Sequence, residues 1–369
     1  MAKGSNLALL NLLRAAADED VPRTFDDAMD GETVRWAVSA GLGPLLLRLT
    51  PKDSRLTASA AWPAVVGAEL TARLRSQVQL QALEDVIDAC AGRVPPLTLL
   101  KGASLCIERY PAPHLRPMGD LDLLVDVESV ADVERIVRGL GYRSAKSSAL
   151  YRHHHHIAPL VHPDTDVWIE IHHALFPART ALAADPVFGA RTLRAERRSS
   201  SFRGRAVQHL STELQLVYLP AHWAGAPAAL LGPVGVRGLL DMMLLLRDGS
   251  RVRWSTVLAW LDGAAAATQV YLMLAYLDAR GLAALDPAVL PAIRQRQTSF
   301  GPWGLRLAFA VLDRYVVDGR RRGVLMGNRR LALIWTALLQ RGRSWRKASS
   351  VASRLYESAA RRWLGDPAS

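Results

Sequence analysis

Two aspartates at the start of a predicted strand have the spacing of a metal site. Asp120 and Asp122 open the run DLDLLVD, whose alternation predicts a β-strand over 120–126. Residues two apart in a strand project from the same face, so these carboxylates lie about 6–7 Å apart and repel each other unless a cation sits between them. Carboxylate oxygens suit Mg²⁺ or Mn²⁺. A solvated strand end with two surface aspartates is the alternative for this pattern alone.

Two neighbouring segments favour the metal site. A strand predicted at 167–173 places apolar residues on one face and Glu170 on the other, which supplies a third carboxylate. Upstream, Lys101 and Gly102 lie in a turn between a buried strand and a short helix, where backbone N–H groups and a cation can receive phosphates. Two-metal nucleotidyl transfer requires these parts. We therefore expect Asp120, Asp122 and Glu170 to be catalytic metal ligands, and the nucleotide to contact Lys101, Gly102, Ser104 and Arg116.

Several of these residues also have an ordinary structural interpretation. Lys101 could contact a triphosphate or simply end a strand. Arg116 could steady a phosphate, but an ion pair with Asp120 or Asp126 is the favoured interpretation. On later helices, His222 and Asp241 are expected to be packing and polar residues that line the cleft rather than catalytic groups.

The histidine run at 153–156, together with His172 and His173, raises the question of zinc. Strand alternation would divide the run between two faces of the sheet, and no thiolates accompany it. Both arguments count against a zinc site.

The pattern of apolar residues defines the elements that must position these side chains. Helical periodicity at 5–17, 31–49 and 65–91 precedes a β-α-β-α-β-β order over 94–175, and helices return at 211–224, 236–247, 254–277, 302–317 and 329–340. We predict an α+β protein with the only substantial sheet at 94–175. The predicted regions are an N-terminal helical region (1–92), an α/β core (93–210), a C-terminal helical bundle (211–340) and a basic tail (341–369).

Short motifs in this core resemble a known family. They are LLKGA at 99–103, YP at 110–111, Arg116, DLDLLV at 120–125, GY at 141–142 and EIH at 170–172. Together they resemble the bacterial uncharacterised nucleotidyltransferase family of the polymerase-β-like superfold. The likeness extends more faintly to His222 and to GLLD at 238–241, so it covers roughly residues 30–290.

The resemblance implies a small mixed-sheet nucleotidyltransferase core flanked by helices, with Asp120, Asp122 and Glu170 matching the metal-binding acids. The wider superfold usually has Gly-Ser or Gly-Gly in its first turn. Here Ala103 follows Gly102, and the serine comes one place later, at Ser104.

Charge and composition limit the remaining possibilities. The 369 residues carry a formal charge of +12, but residues 320–369 contain twelve basic and two acidic residues, so about +2 remains for the rest. Apolar residues recur every four positions over 349–364, which predicts a basic amphipathic helix that either packs as a terminal helix or binds a polyanion. Two cysteines, no secretion-type leader and no apolar run of about 18 residues predict a cytoplasmic protein without a transmembrane segment.

The expected function is Mg²⁺- or Mn²⁺-dependent transfer of a nucleoside monophosphate from an NTP to an unidentified acceptor (a small molecule, a peptide or RNA), with release of pyrophosphate. The alternative is a non-catalytic or antitoxin-like binding protein whose basic tail engages a polyanion or a protein partner. Because the three acids repel one another, neutralising any of them is expected to leave the metal-free protein as stable or slightly more stable.

Overall fold

A computed structural model describes residues 4–18, 20, 25, 28–152, 154–225, 234–247, 251–297 and 299–318 of the chain. Within these residues the protein is α+β, with one seven-stranded mixed sheet and helices before and after it. The fold class predicted from the sequence is therefore confirmed. The predicted helices at 329–340 and 349–364 and the basic tail at 341–369 lie outside the described residues.

The helices follow the apolar periodicity closely. The described α-helices are α1 (Gly4–Ala17), α2 (Gly31–Ser39), α3 (Gly43–Leu49), α4 (Trp62–Cys90), α5 (Lys101–Glu108), α6 (Val130–Gly139), α7 (Ala190–Ala195), α8 (Thr212–Gly225), α9 (Val234–Leu246), α10 (Trp254–Trp260), α11 (Ala266–Ala279), α12 (Val289–Arg296) and α13 (Pro302–Leu312). Short 3-10 turns occupy Arg55–Ala58, Pro113–Leu115, Val127–Ser129, Ser148–Tyr151, Leu182–Ala184 and Pro186–Phe188, and a π-helical turn occupies Asp313–Val317.

Two glycines in the left-handed region separate neighbouring helices. Gly41, with φ of 77°, separates α2 from α3, and Gly263, with φ of 67°, lies between α10 and α11. A positive φ favours glycine because it has no Cβ to clash. The helix α12 was not predicted from the sequence.

The sheet places the predicted acidic strands side by side. Its strands are β1 (Thr98–Leu99), β2 (Leu121–Leu124), β3 (Arg143–Ser144), β4 (Leu160–Val161), β5 (Trp168–His172), β6 (Arg197–Phe202) and β7 (Arg205–Leu210). Their spatial order is β3-β4-β5-β2-β1-β7-β6. The pairs β2–β5 and β1–β7 are parallel, and the other neighbours are antiparallel.

The predicted C-terminal limit of the sheet is wrong. The hairpin β6–β7 joins the sheet beyond residue 175, although both strands carry many polar and charged residues and lack clear alternation. Arg203 and Gly204 form the two-residue loop of this hairpin, with φ of 50° and 80°. Two central residues with positive φ are typical of a type I′ turn. The Arg-Gly pair was therefore the sequence feature that could have indicated this hairpin.

The residues beside the sheet form two hydrophobic cores. One lies between the sheet and the helices α4 and α6, and it contains Leu121, Leu123, Ile169 and Ile171. Alternation therefore turns Asp122, Glu170 and His172 to the other face.

The second core combines the N-terminal and C-terminal helices. The Nε1 of Trp36 in α2, for example, donates a hydrogen bond to the carbonyl of Val316 (3.1 Å). The described helices before and after the sheet thus share a core, and the predicted boundaries at 92, 210 and 340 stay predictions.

The buried carboxylate of Asp185 caps α11, so its loss should destabilise the C-terminal bundle. Its two oxygens accept the backbone N–H groups of Ala265 and Ala266, each at 2.9 Å. We expect Asp185→Ala to lower the free energy of unfolding by about 1–2 kcal/mol, with Asp185→Asn intermediate. Chemical denaturation followed by circular dichroism measures this. The exposed control Asp164→Ala should change it by less than about 0.5 kcal/mol, and an equal loss in both variants would contradict the capping role.

Candidate active site

A carboxylate pair and an imidazole meet on the sheet face opposite the first core. The parallel register of β2 and β5 sets Asp122 beside Glu170. His172 follows two residues later on β5, and its Nε2 lies 2.8 Å from Asp122 Oδ1 and 3.4 Å from Glu170 Oε2. One ligand atom from each of these three residues lies within 4.8 Å of the others. From the sequence, His172 was expected only as part of the EIH motif and as a neighbour of the histidine run, and its contact with Asp122 was not predicted.

Lys101 neutralises the same aspartate from the other side. Its Nζ lies 2.7 Å from Asp122 Oδ1. Burial alone would lower the pKa of Lys101, but the Asp122 carboxylate outweighs burial and raises it. Burial likewise would raise the pKa of Asp122, but Lys101 and His172 hold it well below its usual range. Asp122 is therefore an ionised, buried carboxylate held between the Lys101 ammonium and the His172 imidazole.

The backbone of Lys101 is also strained. Its φ of 43° lies in the left-handed region, which side-chain-bearing residues rarely adopt, and it is the first residue of α5. Such strain costs on the order of 1–3 kcal/mol and clusters at functional sites.

Asp120 differs from Asp122 although both belong to one motif. It directly precedes β2 and lies outside the group of ligand atoms formed by Asp122, Glu170 and His172. Burial, together with the charges of Asp122 and Glu170, raises the pKa of Asp120 to about 7. No ion pair with Asp120 occurs among the described residues. Asp120 is thus the least compensated acid of the three.

Arg116 pairs with a residue that sequence reasoning did not choose. Its Nη2 and Nε lie 2.7 and 3.2 Å from the two carboxylate oxygens of Asp241 in α9, so the predicted pairing with Asp120 or Asp126 is wrong. Asp126 instead lies 3.1 Å from Arg197. Proximity along the chain suggested the wrong partner, because α9 packs over the 113–118 segment.

Gly102 is needed because the Arg116 side chain crosses it. A Cβ at Gly102 would lie 2.6 Å from Arg116 Nη1 and 3.0 Å from Met118 Cγ. The glycine therefore allows the guanidinium to pass close to the start of α5.

Ser104 does not reach the cavity. It lies two residues after Gly102, which places it on the opposite side of α5 at about 100° per residue. Its buried hydroxyl lies 2.8 Å from His209 Nδ1 and is absent from the residues that line the site. We therefore leave Ser104 out of the nucleotide site proposed below.

A cavity of about 290 Å³ lies above these residues. One wall carries Lys101, Gly102, Asp120 and Asp122, and the opposite wall comes from α8 and α9, including Leu219, His222, Trp223, Arg237 and Asp241. The prediction that His222 and Asp241 line the cleft is confirmed. Burial lowers the pKa of His222 to about 3, so this imidazole is neutral at pH 7.

Arg237 is a second residue that sequence reasoning missed. Its guanidinium donates to the carbonyl of Pro117, while its buried Nε has no hydrogen-bond partner among the described residues. Burial lowers the pKa of Arg237 to about 10, which leaves it charged at pH 7. Of the basic residues lining this cavity, Lys101 and Arg116 are each bound by a carboxylate, whereas Arg237 contacts a carbonyl.

The aromatic wall depends on one glycine. A Cβ at Gly238 would lie 2.2 Å from Cδ1 of Trp223, so the indole packs directly on the α9 backbone. The indole Nε1 donates to the carbonyl of Gly235 at 2.9 Å. Trp223 is therefore fixed at the cavity by its contacts with α9.

The histidine run does not adopt the strand conformation that was predicted for it. Residues 154–155 belong to no strand, and strand β4 begins only at Leu160. Ring nitrogens of His154, His155 and His156 lie within 4.8 Å of one another, so the argument that alternation would separate them is wrong. His153 lies outside the described residues.

A larger cavity of about 520 Å³ lies elsewhere, near Met243, Trp254 and Leu285. None of the predicted catalytic or nucleotide-binding residues lines it. The smaller cavity is therefore the candidate active site.

Comparison with protein families identifies the family of this chain. A family model described as Uncharacterised nucleotidyltransferase matches residues 27–280, which is more than half of the chain, and the protein belongs to this family. Neither the comparison with curated proteins nor that with solved structures gives a match. Among the described helices, none combines the length and apolar character needed to cross a bilayer.

The expectation that neutralising any acid is harmless to stability must be corrected, because the two aspartates should respond in opposite directions. Asp122→Asn leaves the buried Lys101 and His172 without their carboxylate and should cost about 3–5 kcal/mol. In the folded protein Asp120 has a pKa of about 7, above the unfolded value, so ionising it weakens the fold as pH rises from about 4 to 7. Asp120→Asn should therefore be stabilising at pH 8, by at most about 4 kcal/mol, and near neutral at pH 4.

Thermal unfolding of both variants in EDTA, at pH 8 and at pH 4 to 5, measures these changes. A stabilisation by Asp120→Asn that did not depend on pH, or a harmless Asp122→Asn, would contradict this electrostatic account.

Proposed function

We propose that this protein transfers a nucleoside monophosphate from an NTP to an acceptor, with Mg²⁺ or Mn²⁺ as cofactor and pyrophosphate as the second product. The observation that carries the proposal is the register of β2 and β5. It brings Glu170 beside Asp122 next to the N-terminus of α5. Asp120 and Asp122 line the cavity there, and Glu170 lies behind Asp122, outside the cavity lining. Membership of a nucleotidyltransferase family supports the same reaction class.

The residues present fit a divalent cation. Asp122 and Glu170 offer the hard oxygen ligands that Mg²⁺ prefers. The raised pKa of Asp120 reflects its burial and the nearby negative charges of Asp122 and Glu170, which a cation would compensate. A divalent ion bound there would neutralise triphosphate oxygens and increase the acidity of the acceptor hydroxyl. We propose Asp120, Asp122 and Glu170 as its ligands.

Groups of the chain itself would hold the nucleotide phosphates. Backbone N–H groups in the first turn of a helix have no partner within the helix, so those at the start of α5 around Gly102 can bind an anion. Lys101 supplies positive charge between these groups and Asp122. Arg237 on the opposite wall presents a buried N–H without a partner among the described residues, and we propose that it donates to a phosphate oxygen.

The acceptor occupies the remaining part of the cavity in this proposal. Leu219 and Trp223 give that wall an apolar surface, which suits a planar or aliphatic group rather than a highly charged one. A small molecule, a peptide and RNA all remain in the proposal, and the basic tail at 341–369 is the segment through which a polyanion or protein partner would bind.

Loss of a metal ligand should abolish transfer. We expect Asp122→Asn and Glu170→Gln each to lower the rate of pyrophosphate release on the order of 10²-fold or more, because transition-state charge is no longer neutralised. Each NTP is supplied with Mg²⁺ or Mn²⁺ and an extract from the source cells, and products are identified by mass spectrometry. The exposed acid Glu128, changed to Gln, is the matched control and should retain full activity.

If both ligand variants transfer nucleotide like the wild type, the active site lies elsewhere. If the wild type neither releases pyrophosphate nor is stabilised by any NTP with Mg²⁺ or Mn²⁺, the protein is the non-catalytic or antitoxin-like alternative.

Replacement of Arg237 should weaken nucleotide binding more than catalysis. A charged hydrogen bond contributes about 1.5–3 kcal/mol, so Arg237→Ala should raise the KM for NTP by about 10- to 100-fold, with kcat changed far less. Arg237→Lys should restore part of the affinity. Initial-rate kinetics separate the two constants, and the exposed Arg179→Ala is the control for loss of one positive charge. An unchanged KM would exclude Arg237 from the phosphate site.

A further inference from the structure

The histidine cluster formed by His154, His155 and His156 lies beside the carboxylates but has a different chemistry. The ring centroids are 4.8 to 6.0 Å apart, and one nitrogen of each ring lies within 4.8 Å of the others. Imidazole nitrogens bound to one zinc ion at about 2.0–2.1 Å are roughly 3.4 Å apart. The exposed His154 ring has room to move toward the other two.

The backbone holds the cluster in place although it is not in a strand. His154 N donates to the carbonyl of Tyr151, and the carbonyl of His155 accepts from the backbone N–H groups of His173 and Ala174, at 2.9 to 3.2 Å. His156 forms an isolated antiparallel bridge with His172. The run is thus attached to the end of β5, unlike a free terminal tag.

A hydrogen bond determines which ring nitrogen of His156 is free to bind a metal. His156 Nδ1 lies 2.8 Å from the carbonyl oxygen of Ile157, and only an N–H can donate to that oxygen. The neutral ring therefore has its lone pair on Nε2, and a donor bond of this type orients metal-bound histidines. That Nε2 is 3.8 Å from Glu170 Oε2, so its lone pair lies close to a carboxylate oxygen.

Two further imidazole nitrogens lack partners. His155 Nδ1 and His172 Nδ1 are buried without a hydrogen bond among the described residues, and the two rings are 5.1 Å apart. A buried polar atom without a partner costs about 1–3 kcal/mol. A cation bound by the cluster would give His155 and His156 the partner that the surrounding protein does not provide.

We propose that His154, His155 and His156 form a binding site for a late first-row dication, with Zn²⁺ as the best fit. Glu170 Oε2 lies within reach as the fourth ligand, because a Zn–N and a Zn–O bond of about 2.0–2.2 Å each can bridge its 3.8 Å distance from His156. Imidazole suits Zn²⁺ and Co²⁺ but not Mg²⁺. This site shares Glu170 with the proposed carboxylate site but differs from it in metal preference, and its occupancy does not depend on nucleotidyl transfer.

Cobalt binding tests the proposal on the full-length, untagged protein after removal of metals with EDTA. Co²⁺ is added without nucleotide, and its visible absorption reports the number of ions bound and their coordination geometry. We expect one equivalent of Co²⁺ in a four-coordinate site, displaced by one equivalent of Zn²⁺ but not by millimolar Mg²⁺. Displacement by Mg²⁺ would place the ion at the carboxylates and overturn the proposal, as would the absence of binding.

Variants localise the ion. His154→Ala and His156→Ala should each weaken Co²⁺ binding by about 10- to 100-fold, and the exposed position of His154 makes its variant safe for folding. His162→Ala is the matched control, because that ring packs against Tyr142 outside the cluster, and it should bind like the wild type. Circular dichroism confirms that each variant is folded.

A last comparison separates a folded site from the ordinary affinity of a histidine run. The Co²⁺ titration is repeated in 6 M urea, where affinity should fall at least tenfold if the folded geometry contributes. Equal affinity in the unfolded chain would show that the run binds like an unstructured tag, and the proposal would be wrong. Because no NTP is present, failure here leaves the proposed transfer reaction untouched.

Discussion

The ionised carboxylate of Asp122 inside the protein is the constraint on which the site depends. A buried charge without a partner costs several kcal/mol, so the fold must bring counter-charges to it. Lys101 at the start of α5 and His172 at the end of β5 both contact the same oxygen, Oδ1. Three segments distant in sequence are thus held together by one carboxylate oxygen, and the strained backbone of Lys101 belongs to this arrangement.

The C-terminal helices are attached to the sheet-bearing core through the buried Asp241 carboxylate. Asp241 in α9 binds Arg116 and also accepts a hydrogen bond from the buried Tyr110 hydroxyl at 2.8 Å, which attaches the C-terminal bundle to the strand-bearing core. The opposite wall of the cavity comes from α8 and α9, and their helices share a core with the N-terminal helices. This physical connection explains why the family match begins before the sheet and continues after it.

Sequence patterns predicted the local elements far better than the long-range contacts. Alternation in DLDLLV and in WIEIH correctly placed Asp122 and Glu170 on polar strand faces, because the period of a strand is local. The partner of Arg116 and the role of Arg237 depend on how α9 packs, which no spacing in the sequence encodes. The hairpin β6–β7 was missed because polar strands lack a hydrophobic pattern, although its Arg-Gly turn was visible.

The difference between local sequence patterns and long-range contacts also explains why two aspartates in one motif have unequal surroundings. Spacing alone predicts that Asp120 and Asp122 are equivalent and that their carboxylates repel each other. In the structure Lys101 and His172 both contact Asp122, whereas Asp120 is buried near like charges, so the pKa values of the two aspartates move in opposite directions. In the proposed metal site a cation would compete with Lys101 and His172 for Asp122, so Asp120 would supply the negative charge that favours binding. In a strand motif of this kind, the surrounding counter-charges decide which carboxylate is neutralised by the fold and which one is left for a cation to neutralise.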